Sequence, residues 1–470
     1  MPEQNGGFPS PYRAWYVVFI LFLAYTFSAI DRQILTLLVE PVRADLGLSD
    51  FEISLLQGFA FSLLFAVAGF PIARLSDSRD RRRIIAAGIT FWCVMTAMCG
   101  MAKTFVHLFL ARMGVGVGEA TLSPAAASLL SDYFEPKKRA LAISVYHLGY
   151  PVGGGLALVA GAAIIDSLAG VESVQLGWLG SFKPWQLAFI LVGLPGLVLA
   201  AAMFSFREPV RRGVAATAGS GGMSIREVVG YMRQRWKAYG AHFSAVALMG
   251  MLAIGTTIWY PTFLIRTYGL TASEAGYSYG LIMGICGALG ILLGGALSVR
   301  IARRGYVDAN MRVMLIAASI KLVPVVVGPL MPTATLALIT MAIATFLGQV
   351  SVGVTTAAIQ DITPNQMRAQ ATAMMLFLVN IVGLGLGATF IAFITDFVFG
   401  DDMALRYSIV VSSLIIAPTV ITILAFGLKH FRACVYEIRA LEHSDSASSQ
   451  DPEPMGEAAA EGAAAVPGRA

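Results

Sequence analysis

The amino-acid sequence predicts an all-α polytopic membrane protein with 12 transmembrane helices in two pseudo-symmetric six-helix bundles. Three observations carry that prediction. Hydrophobic residues make up 57% of the 470 and charged residues 13%, with a mean hydropathy of +0.73, which excludes an ordinary soluble domain. Apolar stretches of the roughly 20 residues needed to cross a bilayer recur along the chain. A nine-residue frame also occurs twice, as RMGVGVGEA at 112–120 and QVSVGVTTA at 349–357, 237 residues apart.

In order, the spans are expected near 14–40, 51–76, 83–101, 105–130, 139–166 and 185–205, then 238–266, 273–299, 311–329, 334–361, 367–396 and 405–428. Span 1 holds AIDRQ (29–33). Span 2 runs into ARLSDSRDRRR (73–83), a basic loop that separates it from span 3. Span 4 carries the first copy of the repeated frame, span 5 holds VYHLGYPVGGG (145–155), and span 6 ends at FREP (206–209). Segment 206–237 is the longest polar interruption, a cytoplasmic linker dividing six spans from six. Its Gly, Ser and Ala residues cluster at 213–222; its second part, with Ile225, Val228, Val229 and Met232 on one side, suits an amphipathic helix lying at the membrane interface. Spans 7 to 12 follow, with Trp259, Tyr260 and Pro261 in span 7, Lys321 in span 9, the second frame in span 10 and GLGLG (383–387) in span 11. The resulting organisation is 1–13 terminus, 14–205 bundle, 206–237 linker, 238–428 bundle and 429–470 tail, expected to be disordered from about 443 for want of large apolar groups.

Positive charge sets the orientation, because short positive loops resist translocation. Twenty-four Lys and Arg residues lie near one face and five near the other, so both termini are expected in the cytoplasm and the protein in the bacterial inner (plasma) membrane. The polar start, with Pro9 and Pro11 and no small-residue cleavage site, predicts no cleaved signal peptide. The net charge of +5 follows from this topology and calls for no nucleic-acid partner. Cys93, Cys99, Cys286 and Cys434 have no metal spacing, and the glycine runs lack a preceding strand, so no metal site, no cofactor and no nucleotide fold are expected.

Duplication extends beyond the frame: ARLS (73–76) matches GALS (295–298), and FLARMGVGV (109–117) matches FLGQVSVGV (346–354). Parallel repeats of this kind belong to transporters that hold substrate between the halves. The loop after span 2 resembles the signature of the major facilitator superfamily, a small residue, then L-[AS]-D, then a basic cluster. With AIDRQ, R-x-x-x-G-x-G-E-A and FREP, the chain is most similar to the spinster-like branch. That resemblance implies the major facilitator fold, an exporter, lysophospholipid or sphingosine phosphate-like cargo, and a cytoplasmic latch at Asp77 and Arg81.

The repeat is asymmetric in charge: Arg112 and Glu119 correspond to Gln349 and Thr356. A charge at the centre of a span costs at least ~2.5–3.5 kcal/mol, so such residues ordinarily face a cavity or a partner. Depth arithmetic at 1.5 Å per residue puts Asp31 about 13 Å and Arg112 about 10 Å from the same face, so the two are expected opposite each other. Arg32, about 100° further round the helix, then addresses the cavity or Glu119. Asp31 and Glu119 are the candidate proton carriers. Arg32, Arg112, Tyr146, His147, Tyr150, Gln349, Thr356 and Trp259 are the candidate substrate-binding or charge-switch residues. The competing interpretation of the four charges is a neutral cluster that fixes helix packing.

No nucleophile with a base and no metal set is present in the pattern, so no catalytic residues are assigned and an enzyme is not expected. The expected function is proton-coupled secondary-active transport by alternating access, exporting a small amphiphilic anion. The expected partners are that substrate, protons and membrane lipids, and the expected state is a monomer. A drug or sugar-type exporter of the same fold is the alternative, and a non-transporting scaffold a further one.

Overall fold

The structure, a computed structural model, describes residues 8–168, 170–171, 173–175, 180–211 and 225–448. The side chains of Phe70, Ala73, Asp77, Ser78, Pro136, Lys137, Ala140, Asn365, Ala369 and 441–448 lie outside that description. Among the described residues 12 helices are long and apolar enough to cross a membrane. They are α1 (Pro11–Leu37), α2 (Asp50–Gly69), α3 (Arg81–Cys99), α4 (Phe105–Tyr133), α5 (Leu141–Ser167) and α6 (Pro184–Ala202). After the linker come α7 (Trp236–Tyr268), α8 (Ala272–Ala302), α9 (Ala309–Leu330), α10 (Ala334–Asp361), α11 (Gln370–Phe399) and α12 (Asp402–Ala440). A two-residue strand pair, β1 (Val174–Gln175) and β2 (Ser181–Phe182), lies between α5 and α6.

Polar caps start the apolar helices, and one of them is duplicated. Ser49 Oγ accepts from the Glu52 amide at 3.2 Å while Glu52 Oε2 accepts from the Ser49 amide at 2.9 Å. Thr271 and Glu274 form the same reciprocal box at the same distances. The first box opens α2 and the second opens α8, 222 residues later. Each satisfies two amides that the first helical turn leaves without partners.

The repeated frame is likewise a packing device. A Cβ on Gly116 would lie 2.4 Å from the Phe61 carbonyl oxygen, and one on its repeat mate Gly353 would lie 2.6 Å from that of Ile291. Hence α4 crosses α2, and α10 crosses α8, with backbones in contact, as small residues permit between membrane helices. The GLGLG run does the same for α11 on α7, where a Cβ on Gly387 would meet the Met251 carbonyl at 2.6 Å.

The halves meet along α5 and α8 and along α2 and α11. At the second seam both helices change register: Leu55–Phe59 of α2 and Val379–Gly385 of α11 are π-helical, and a Cβ on Gly58 would approach the Leu384 carbonyl to 2.5 Å. Across the face opposite the termini, ion pairs join the halves. Arg266 of α7 reaches Glu40 at 2.7 Å and Asp50 at 2.6 Å, Arg43 reaches Asp402 at 2.5 Å, and the Phe51 amide donates to Asp396 at 2.7 Å. Asp50, Asp396 and Asp402 stand close enough to hold a cation, but Arg266 and Arg43 already supply positive charge to Asp50 and Asp402. Ser273 of α8 donates to Asp166 of α5 in the same layer.

Two expectations change. The last helix runs to Ser448, well past the expected end at 428, because Phe431, Val435 and Ile438 recur on one buried face and Arg432 pairs with Asp308 at 2.9 Å. In the linker, the helix Ile225–Gln234 buries Val228 and Met232 but leaves Ile225 70% and Val229 42% exposed, so only half of the expected apolar face packs on the bundle. The expected cluster at 213–222 and the tail beyond 448 lie outside the described residues.

Candidate functional site

The charged residues of the first half converge where α1, α2 and α4 meet. Ser28 and Arg32 are four apart on α1 and so share a face. Both reach one oxygen of Glu119: Ser28 Oγ and Arg32 Nε each donate to Oε2 at 2.6 Å. Glu119 is 1% exposed, and its other oxygen, Oε1, has no hydrogen-bond partner among the described residues. The α4 helix breaks directly after Glu119, at Ala120–Thr121, before resuming at Leu122. Arg32 is the outer member of the pair, 15% exposed against 0% for the Glu119 side chain. Its guanidinium lies 4.5 Å from the centre of the Phe61 ring and 5.9 Å from that of Tyr150, a cation–π setting that compensates part of its lost hydration.

Arg112 is fully buried and braces three helices. Its Nη1 donates to the main-chain oxygen of Asp31 at 3.0 Å and its Nε to that of Leu56 at 3.3 Å. Leu56 lies in the π-helical stretch of α2, where the changed bonding register presents a carbonyl sideways. Asp31 and Arg112 are therefore level, but the expected facing of guanidinium and carboxylate is replaced by a contact to the Asp31 main chain. The carboxylate turns toward Trp92 and Thr96 of α3, and its Oδ1 has no hydrogen-bond partner among the described residues.

An aromatic cluster flanks this site. Tyr146 is 1% exposed and stacks on Tyr25 with ring centres 4.8 Å apart. His147 and Tyr150 each lie 5.8 Å from the same Tyr25 ring. Tyr25 and Ser28, absent from the sequence-derived set, sit seven and four residues before Arg32, a spacing that already placed them on its face.

In the second half Gln349 and Thr356 line a cavity of about 240 Å³ together with Lys321 of α9. Trp259 does not join it: the ring is fully buried and Nε1 donates to the Ala388 carbonyl of α11 at 2.9 Å, so Trp259 pins α7 to α11. Pro261 leaves the α7 helix continuous around it.

The latch expectation is also revised. Asp77 has its side chain outside the described residues. Arg81 binds Asp132 and Glu208, each at 2.6 Å, and Ser128 at 2.9 Å, two of them in the first half and Glu208 at the start of the linker, with none in the second half. Asp80 caps α3 by accepting from the Arg82 and Arg83 amides, which turns Arg81 inward. Burial acts to raise the Asp80 carboxyl, but the hydrogen bonds from Arg82 and Arg83 outweigh it and hold the group below its ordinary value. Arg81 ties α3 to α4 and to the FREP segment, and removing it takes the guanidinium away from the buried Asp132 carboxylate. Arg81→Met is expected to cost about 3–5 kcal/mol, read as a lower thermal midpoint of the purified protein, with Asp132→Asn restoring part of the loss.

The profile of the Major Facilitator Superfamily matches residues 21–388, a range that includes Asp31, Arg32, Arg112, Glu119 and Lys321. The chain belongs to the major facilitator superfamily. It is a spinster-like transporter, an integral multi-pass membrane protein that moves a small-molecule substrate. An MFS-type efflux pump of Mycolicibacterium smegmatis is 28% identical over 384 residues, 79% of this chain and 82% of that one. A hexuronate transporter of Bacillus subtilis is 25% identical, covering 81% and 87%. The sphingosine-1-phosphate transporter SPNS2 of Danio rerio is 26% identical over 61% of this chain and 56% of its own length. A crystal structure of a bacterial homolog to the human lysosomal transporter Spinster, inward-facing and unoccupied, superposes with a TM-score of 0.74 at 25% identity, covering 92% of this chain and 98% of that one.

Proposed function

We propose that this major facilitator protein is a proton-coupled secondary-active transporter that exports an amphiphilic anion by alternating access across the bacterial inner membrane, with both termini in the cytoplasm. The observation that carries the reading is the bonding of Glu119: one oxygen holds Ser28 and Arg32 at 2.6 Å, and the other is free to take a proton. Protonation removes the charge that holds Arg32, and the released guanidinium sits beside Tyr150, at the edge of the site. Asp31, with its own unpaired oxygen, is the second proton carrier. The network that closes the face opposite the termini, together with the inward-facing relative, supports a state open to the cytoplasm.

An anionic cargo draws support from two relatives, because a hexuronate carries a carboxylate and sphingosine-1-phosphate a phosphate. The efflux pump and the hexuronate transporter also favour a second reading, a drug or sugar-acid exporter of the same fold. Liposomes separate the two. Under an imposed pH gradient, a single-chain lysophospholipid is expected to drive proton movement through the wild-type protein. Hexuronate-driven movement with no response to the lysophospholipid would move the assignment to the second reading.

A further inference from the structure

The two arginines of the charge cluster in the first half are already committed: Arg112 to two main-chain carbonyls and Arg32 to Glu119. The second half holds a cation that is not. Lys321 lies midway along α9, and among the described residues it has no hydrogen-bond or ionic partner. A lysine about 18 Å from the start of a span is too deep to reach either interface. Its ammonium rests against α10 where Gly348 leaves room, since a Cβ there would lie 3.1 Å from Nζ. An uncompensated charge at that depth is costly and is a functional feature by default.

The cavity beside Lys321 is two-faced. Gln349 and Thr356 stand with the lysine on the polar side, while Met249, Met375 and Val379 supply apolar wall. Methionines suit a flexible chain because they repack around it. The volume of about 240 Å³ falls below the ~300–1,000 Å³ of sites that enclose a whole drug-sized ligand. It accommodates an acidic group and the first part of one chain.

We infer that Lys321 binds the anionic group of the cargo, a carboxylate or phosphate on a single apolar chain, so that substrate charge is read in the second half and the proton in the first. This rests on the reading of an amphiphilic anion as cargo. Binding of laurate, of an oleoyl lysophosphatidate and of the uncharged monoolein to the purified protein tests it, in wild type, Lys321→Met and Lys321→Arg. Met keeps the length and apolar body of the side chain in a span, so the fold is retained, which size-exclusion chromatography verifies. The expected result is a loss of roughly 30-fold or more for anionic probes in Lys321→Met, as for truncating one member of a buried charge pair. Monoolein binding is unchanged, and Lys321→Arg recovers much of the affinity. A preference for laurate over lysophosphatidate, or the reverse, assigns the anionic group. Equal anion binding by wild type and Lys321→Met overturns the inference alone. Failure of the wild type to bind either anion overturns it together with the anionic-cargo reading.

Discussion

Glu119→Gln is expected to abolish substrate-coupled proton flux, down to the level of protein-free liposomes, while leaving the protein folded. The amide keeps the shape of the carboxylate, and its oxygen still accepts from Ser28 and Arg32, which now donate at 2.6 Å to Oε2. What it loses is charge and the capacity to carry a proton. Hydrogen bonds to a charged group contribute about 1.5–3 kcal/mol against about 0.5–1.5 for neutral partners, so over the two bonds the stability cost is roughly 2–3 kcal/mol by the same comparison. Arg32 in the variant behaves as though Glu119 were permanently protonated. Substrate binding survives, and exchange of substrate across the membrane persists without protons. Wild-type coupled flux in Glu119→Gln would return the cluster to a structural role.

Arg266→Ala carries the second large effect. Arg266 of α7 makes three charge-assisted hydrogen bonds to Glu40 and Asp50 of the other half, with Asp50 fully buried. Deleting the guanidinium leaves Asp50 with Arg43 at 3.4 Å as its remaining ionic partner among the described residues. Truncating one side of such a buried pair costs about 3–5 kcal/mol, and 3 kcal/mol is more than a hundredfold in an equilibrium between two conformations. The loss falls on the state in which the face opposite the termini is closed, so the variant populates the state open there. Spin labels at Lys103→Cys, on an exposed loop of the first half, and Met403→Cys, exposed in the first turn of α12, are expected to move apart in Arg266→Ala relative to an otherwise matched protein. An unchanged distance distribution would show that the network does not hold this face closed.

The fold was largely legible because a bilayer imposes simple rules. Length and hydropathy located all the spans, and the repeat of the VGV frame was visible before its role as a helix crossing at Gly116 and Gly353. The charges were legible as a group but not in their pairing. Depth arithmetic brought Asp31 level with Arg112, yet rotation about the helix axis and the π-helical turn at Leu55–Phe59 decide which atom the guanidinium meets, and neither follows from spacing. Trp259 was misplaced for a related reason: an aromatic beside a proline suggests an opened backbone, but α7 stays helical through Pro261 and the indole packs on α11. The motif matches Arg81 to a latch, whereas its partners Asp132 and Glu208 come from a distant segment of its own half and from the start of the linker. The cavity at Lys321 arises from five helices and had no local signature beyond the lysine itself.

The asymmetry of the repeat gives these observations one interpretation. Identical glycines maintain the crossings in both halves, while Arg112 and Glu119 stand where Gln349 and Thr356 line an apolar cavity. On the proposed reading, one half exchanges a proton, the other holds the cargo, and motion between them couples the two.

Infrared difference spectroscopy of the reconstituted protein across the transport pH range tests the central claim most directly, because it observes the carboxyl group itself. The account predicts a protonated-carboxyl band that appears on acidification, is lost in Glu119→Gln, persists in part in Asp31→Asn, and shifts when anionic substrate is added. A spectrum identical in wild type and Glu119→Gln at every pH would mean that Glu119 takes no proton, and would contradict the account.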